Sequence, residues 1–185
     1  AQFDASRPAT LVYRASAAYG VVSLHWLDAS QKTEPLPAKP NQYLHPRLSP
    51  DGKRVALTII SSTGQDIWVY DLSRDAMLRL TFGRGPYQFP VWTPDGRFIV
   101  FTDGINGSGM FWTRADGASR PQLLTQSKNG PFPWSFARDG KHLAFAEFPR
   151  GLSGDIWTVP VESDSGGLKA GKPEVFLKTP VNELY

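Results

Sequence analysis

Chemistry in this chain has to be sought among a few histidines, serines, carboxylates and glycines, and their spacing offers little of it. The three histidines are His25, His45 and His142. None has the i, i+4 spacing of a helical zinc pair, and no helix is predicted to hold one. His25 and His142 fall on strand-like stretches and His45 opens another, where a lone histidine is ordinarily a plain surface or core side chain. Cysteine is absent, so neither a disulfide framework nor a thiolate metal site exists. The nucleophile-elbow pattern Gly-x-Ser-x-Gly does not occur: Gly107-Ser108-Gly109 and Gly151-Leu152-Ser153-Gly154 miss its spacing. The glycine-rich DGINGSG at 103–109 lacks the Lys-Ser/Thr and the following helix of a phosphate-binding loop, so it reads as a plain connection. Asn106-Gly107-Ser108 fits a glycosylation sequon, a pattern too short to carry weight. With no nucleophile–base pairing and no ligand cluster, the sequence predicts no enzyme, no metal and no cofactor.

Two residue types do recur. Asp51, Asp95 and Asp139 each precede a glycine. They could form a ring of carboxylates, but an aspartate in that position hydrogen-bonds its own backbone and sets a tight turn, which is the simpler role. Trp68, Trp112 and Trp157 form a second series. An aromatic sugar platform is one reading of it. Packing between neighbouring layers is the better one, because these residues lie mid-unit.

The elements that would position such residues follow from the same recurrence. Leu48-Ser49-Pro50-Asp51-Gly52 returns as Trp92-Thr93-Pro94-Asp95-Gly96 and as Phe136-Ala137-Arg138-Asp139-Gly140, each time 44 positions on. A period of this length with strand-like content means an array of β units. In the first full unit, His45 to Ser49 is strand one and Asp51-Gly52 the turn. Lys53 to Ile60 is a strand apolar on both faces, as a strand sandwiched between two layers must be. Asp66 to Asp71 is strand three, and Met77 to Thr81 the short outer strand. The fold class is therefore all-β: a β-propeller of four-stranded blades, about four in number.

The Ser-Pro-Asp-Gly-Lys-Arg run at 49–54, the Asp-Ile-Trp-Val-Tyr-Asp strand at 66–71 and the Leu80-Thr81 ending resemble the TolB-type (PD40, WD40-like) propeller repeat. The likeness covers residues 10 to 185 and is nearest to extracytoplasmic propeller segments of bacterial serine/threonine kinases. It extends to propellers that precede prolyl-peptidase domains, although no hydrolase half is present. The third unit departs, with Ala137-Arg138 in place of Ser-Pro and about ten extra residues around Ser163 to Lys172. The resemblance implies a binding scaffold, envelope protein partners and a periplasmic or extracytoplasmic location.

Length and composition agree with one domain. The chain has 185 residues, and its Gly 17 and Pro 16 suit a turn-dense β protein. A net charge of +3 arises from 20 basic and 17 acidic residues scattered along the chain, without the clustered basic face that nucleic acid requires. No apolar run reaches the ~18 residues of a membrane helix. The first residue is Ala1 and no signal peptide is present, as in a processed or trimmed chain. Residues 1–9 read as an N-terminal arm, and 10–185 as a single propeller domain. Its units are 10–37 completed by 181–185, then 43–81, 87–125 and 131–179. In that scheme the first unit lacks strand one and Val181 to Tyr185 supplies it, closing the ring with a blade shared between the termini. A ring left open would instead invite self-association through free strand edges.

Binding residues concentrate on loops carried by a rigid scaffold. The connections into strand one bring Tyr43, His45, Arg84, Tyr87, Gln88, Phe132, Asn182 and Glu183 to one mouth of the central channel. Their mix of aromatic, Arg and amide side chains suits protein recognition. The opposite mouth, made of Asp-Gly turns, is expected to be tight and occupied with its own backbone. Other readings are a small-molecule hydrolase or lyase with a channel-mouth site, and a fragment of a larger propeller or sensor. The strand-one starts offer that enzyme only scattered and chemically unlike groups.

Overall fold

The computed structural model describes residues 3–6, 10–15, 20–83, 85–104, 109–148 and 154–178. These form four antiparallel sheets and no helix. The first holds β1 (Phe3–Ser6), β2 (Thr10–Ala15), β3 (Ser23–Leu27) and β4 (Thr33–Pro35). The second holds β5 (Tyr43–Leu48), β6 (Arg54–Ser61), β7 (Gly64–Asp71) and β8 (Ala76–Arg79). The third holds β9 (Tyr87–Trp92), β10 (Phe98–Asp103), β11 (Gly109–Arg114) and β12 (Gln122–Gln126). The fourth holds β13 (Phe132–Phe136), β14 (His142–Glu147) and β15 (Asp155–Ser163), with β16 (Leu168–Ala170) and β17 (Glu174–Leu177) both paired to β15. The chain has the all-β propeller architecture that the repeat predicts.

The sheets stack face to face because their second strands are apolar on both sides. Along β6, Val55, Leu57 and Ile59 join Val12, Leu24 and Leu36 of the first sheet, while Ala56 turns the other way toward Ile99 and Phe101 of the third. On β10 those two residues face back, and Phe98 and Val100 face forward to Leu143 and Phe145 of the fourth sheet. Alternation at period two thus serves two cores from one strand. Each tight turn uses its aspartate as expected. Asp51 Oδ1 accepts from Ser49 Oγ and the Lys53 amide, Asp95 Oδ1 from Thr93 Oγ1 and the Arg97 amide, and Asp139 Oδ1 from the Lys141 amide. The glycines that follow sit at φ 70°, 67° and 70°.

Two expectations are corrected. Residues 1–9 are not simply an arm: β1 pairs with β2 from Phe3↔Tyr13 to Ser6↔Thr10 and takes the inner position of the first sheet. The Asp4 carboxylate also accepts the Leu48 amide of the second sheet at 2.6 Å. A run of four residues, FDAS, is too short a pattern for sequence to register. That sheet therefore has four strands without Val181–Tyr185, which lie outside the described residues. The extra residues of the third unit are likewise more than a delay. They build a hairpin, β15 to β16, that reaches over the third sheet: Leu168 is buried in the third–fourth core, and Ser163 Oγ accepts from Arg97 Nη2 at 3.0 Å.

The tryptophan series packs between sheets, but not as one structural position. Trp68 pairs with Leu57 and faces back toward the first sheet, whereas Trp112 pairs with Val100 and faces forward to the fourth. The hairpin between β10 and β11 shifts the pairing by one residue, and a one-residue slip turns a side chain to the other face.

Candidate binding site at the channel mouth

The inner strands β1, β5, β9 and β13 run side by side, and the last three share one irregularity. In β5, His45 and Pro46 stand opposite the single residue between Ala56 and Thr58. In β9, Phe89 and Pro90 do the same between Val100 and Thr102. In β13 the extra residue is Trp134, between Pro133 and Ser135. Proline has no amide hydrogen to give the ladder, so it belongs at a bulge. The residue before each proline takes up the strain: His45 has φ 51° and Phe89 φ 57°, uncommon for bulky side chains. A bulge re-aims side chains, and it does so here on three neighbouring inner strands.

The re-aimed rings form a row. His45 lies 4.1 Å from Phe89 between ring centroids, Phe89 lies 4.8 Å edge-on from Phe132, and Phe132 lies 5.3 Å edge-on from Phe148. His45 Nδ1 is 3.5 Å from Thr58 Oγ1, a long contact that orients the ring loosely. This row crosses three sheets at the ends where their inner strands begin, so residues far apart in sequence share one surface.

The sequence-derived residues divide around it. His45 and Phe132 are in the row. Tyr87 is half-buried beside it, edge-on to Phe101 at 5.8 Å and packed over Gly85. Burial raises the Tyr87 hydroxyl pKa, and the carboxylates of Asp103 and Asp66 add to the effect. Gln88 donates through Nε2 to Gln65 Oε1, tying the third sheet to the second. Tyr43 is only 2% exposed; its hydroxyl donates to the Lys39 carbonyl at 2.5 Å, and burial raises its pKa. It belongs to the core between the first and second sheets. Arg84, Asn182 and Glu183 lie outside the described residues. Phe89 and Phe148 were missed. The repeated His45-Pro46 and Phe89-Pro90 dipeptides were a legible signal for the first; Phe148 follows the end of β14 and carried none.

The other end of the inner strands is not tight. A cavity of about 650 Å³ opens there, lined by Asp4, Arg47, Leu48, Trp92, Trp134, Arg138 and neighbours. Among the described residues, no three His, Asp or Glu side chains come together as a metal site would need.

No family model matches the chain. An uncharacterized protein of Agrobacterium fabrum is 29% identical over 129 residues, 65% of this chain and 43% of its own length. The chain thus spans less than half of that curated relative. Among solved structures, a protein assigned as TolB from Agrobacterium tumefaciens superposes with a TM-score of 0.72 at 22% identity, over 94% of this chain and 65% of that one. TolB from Acinetobacter baumannii gives 0.69 at 19% identity, over 92% and 44%. A prolyl endopeptidase structure gives 0.59 at 16%, over 90% and 28%. These likenesses establish a TolB-type β-propeller fold. The further likeness to kinase-linked propellers is not shown by them.

Proposed function

We propose that this chain is a non-catalytic recognition scaffold that binds a protein partner at the mouth where its inner strands begin. The observation that carries this reading is the row His45–Phe89–Phe132–Phe148, two of whose members sit on left-handed backbone at repeated bulges. Strain of this kind persists where the surroundings over-determine it, and it gathers at functional surfaces. Aromatic side chains provide large contact area at small entropic cost, as interface anchors do. Tyr87 and Gln88 flank the row, Tyr43 braces it, and Arg84, Asn182 and Glu183 complete the surface in this reading. The TolB-type fold agrees with an envelope partner and an extracytoplasmic location.

The test is affinity capture from a bacterial envelope extract followed by titration of the captured protein. Replacing Phe132 or Gln88 with Ala should weaken that binding by about 1–3 kcal/mol. Replacing Ser73 or Arg120, on the far side, should leave it unchanged. Affinity that ignores the mouth and falls with Ser73 or Arg120 places recognition elsewhere.

A second reading, part of a larger propeller, is favoured by one observation. Four sheets are joined by three apolar cores, and among the described residues no core joins the fourth sheet to the first. A hydrophobic dye should then bind the isolated chain, and a dye-silent monomer would speak for a closed ring.

A further inference from the structure

The residues that the repeat does not require converge on the cavity at the far end of the channel. Position 47 is Arg where the next two units have Val91 and Ser135. Position 134 is Trp where the preceding units have Pro46 and Pro90. Position 138 is Arg where they have Pro50 and Pro94. Trp134 and Arg138 each replace a proline that the other two units keep, at the bulge and at the turn, and Arg47 brings a charge where they have none. Local rules are broken where function gains by it.

All three side chains line the same space of about 650 Å³. Arg47 is half-buried, and its guanidinium makes no hydrogen bond or ion pair among the described residues. Its backbone is nevertheless fixed, since Trp92 Nε1 donates to the Arg47 carbonyl at 2.9 Å. Trp134, the inserted residue of the β13 bulge, is 46% exposed although it sits on an inner strand. Arg138 brings a second cation to the rim. Asp4 is the one carboxylate among the described lining residues, and its Oδ2 already accepts the Leu48 amide. The remaining wall is largely apolar, with Leu48, Val91, Trp92 and Phe136, and carries the two hydroxyl residues Ser49 and Ser135.

We propose that this cavity binds a small aromatic carboxylate, its anion held by Arg47 with Arg138 and its ring stacked on Trp134. A planar guanidinium fork matches a carboxylate in two parallel hydrogen bonds. The space is an open cleft whose volume matches that of small-ligand sites, with largely apolar walls and a few polar groups. An aromatic face beside the cation adds a stacking platform. This site lies at the opposite end of the inner strands from the recognition surface and does not depend on it.

The experiment titrates the intact protein with 3-phenylpropanoate and with its uncharged isostere 3-phenylpropanamide, by calorimetry and by the indole signals in NMR. The acid should bind at least about tenfold more tightly than the amide, and should shift the Trp134 indole resonance, assigned with Trp134→Phe. Arg47→Gln should abolish the preference for the acid. Its folding is safeguarded because the carbonyl, not the side chain, holds Trp92, and an unchanged melting temperature checks this. Gln88→Ala, at the other mouth, should leave the acid's affinity unchanged. Equal affinity for acid and amide in the unaltered protein, no binding of the acid, or a preference for the acid that survives Arg47→Gln would each overturn the proposal.

Discussion

At the scale of single residues, the tightest geometric demand is at Gly167. Its φ of 145° and the Trp112 ring leave no room for a side chain: a Cβ would collide with Trp112 Cη2 and Cζ2. Gly167→Ala should therefore cost several kcal/mol, of the order of 3, read as a fall in melting temperature and altered Trp112 fluorescence. The turn aspartates make a milder, pH-dependent demand. The Ser49 hydroxyl, followed by the Lys53 amide, holds the Asp51 carboxyl below its ordinary pKa against the opposing effect of burial. For Asp139 the Lys141 amide comes first, then the His142 ring. A carboxyl with a depressed folded-state pKa contributes stability above its unfolded value and loses it as pH falls through the folded one. Stability to urea should thus be level above about pH 5 and decline as pH drops below about 4. Ser49→Ala, which removes the largest cause at Asp51, should flatten that decline, and an unchanged slope would assign the acid sensitivity to other groups.

At the scale of elements, the molecule is held by features outside the 44-residue period. The β15–β16 hairpin clasps the third sheet through Leu168, Gly167 against Trp112, and the Arg97–Ser163 hydrogen bond. Cutting it back to a short turn between Val161 and Gly171 should loosen the third–fourth interface specifically, with faster hydrogen exchange in β11 and β14 than in β6. Uniform exchange would show that the hairpin is dispensable. Strand β1 plays the corresponding part at the other end, where Asp4 links it to the second sheet. Deleting residues 1–6 should lower the melting temperature by exposing the inner edge of β2. A chain indifferent to that loss would show that the first sheet stands without its inner strand.

For the whole molecule, four sheets and three cores leave the stack with two outer faces among the described residues. On the first sheet that face carries Tyr13 and His25, whose rings lie 5.7 Å apart. The fourth sheet turns His142 and Ala144 outward and ends on β17, where Phe176 is 72% exposed. An apolar outer strand with a free ladder edge is a template for association. The isolated chain should accordingly self-associate at high concentration, measured by light scattering. Phe176→Lys should suppress this without changing the melting temperature, and association unaffected by it would point to the sheet faces instead.

The propeller fold was legible because periodicity is a local property. Each Asp-Gly turn and each doubly apolar strand, such as 55–60, states its own environment, and repetition at 44 residues states that neighbours share it. For the candidate mouth, strand order alone indicated which residues begin the inner strands; His45 and Phe132 fall in the aromatic row, and its other members, Phe89 and Phe148, were not indicated. Packing decided the rest. The face taken by Trp112 depends on a one-residue slip that only the paired strands reveal, and the inner place of β1 depends on the partner it finds in β2. Tyr43 belongs to the core because the first sheet covers it, which no property of residues 39–45 announces. The cavity of Arg47, Trp134 and Arg138 arises from three departures 87 to 91 positions apart or within one strand and its turn. Sequence shows each as an irregularity; the stacking of sheets makes them one place.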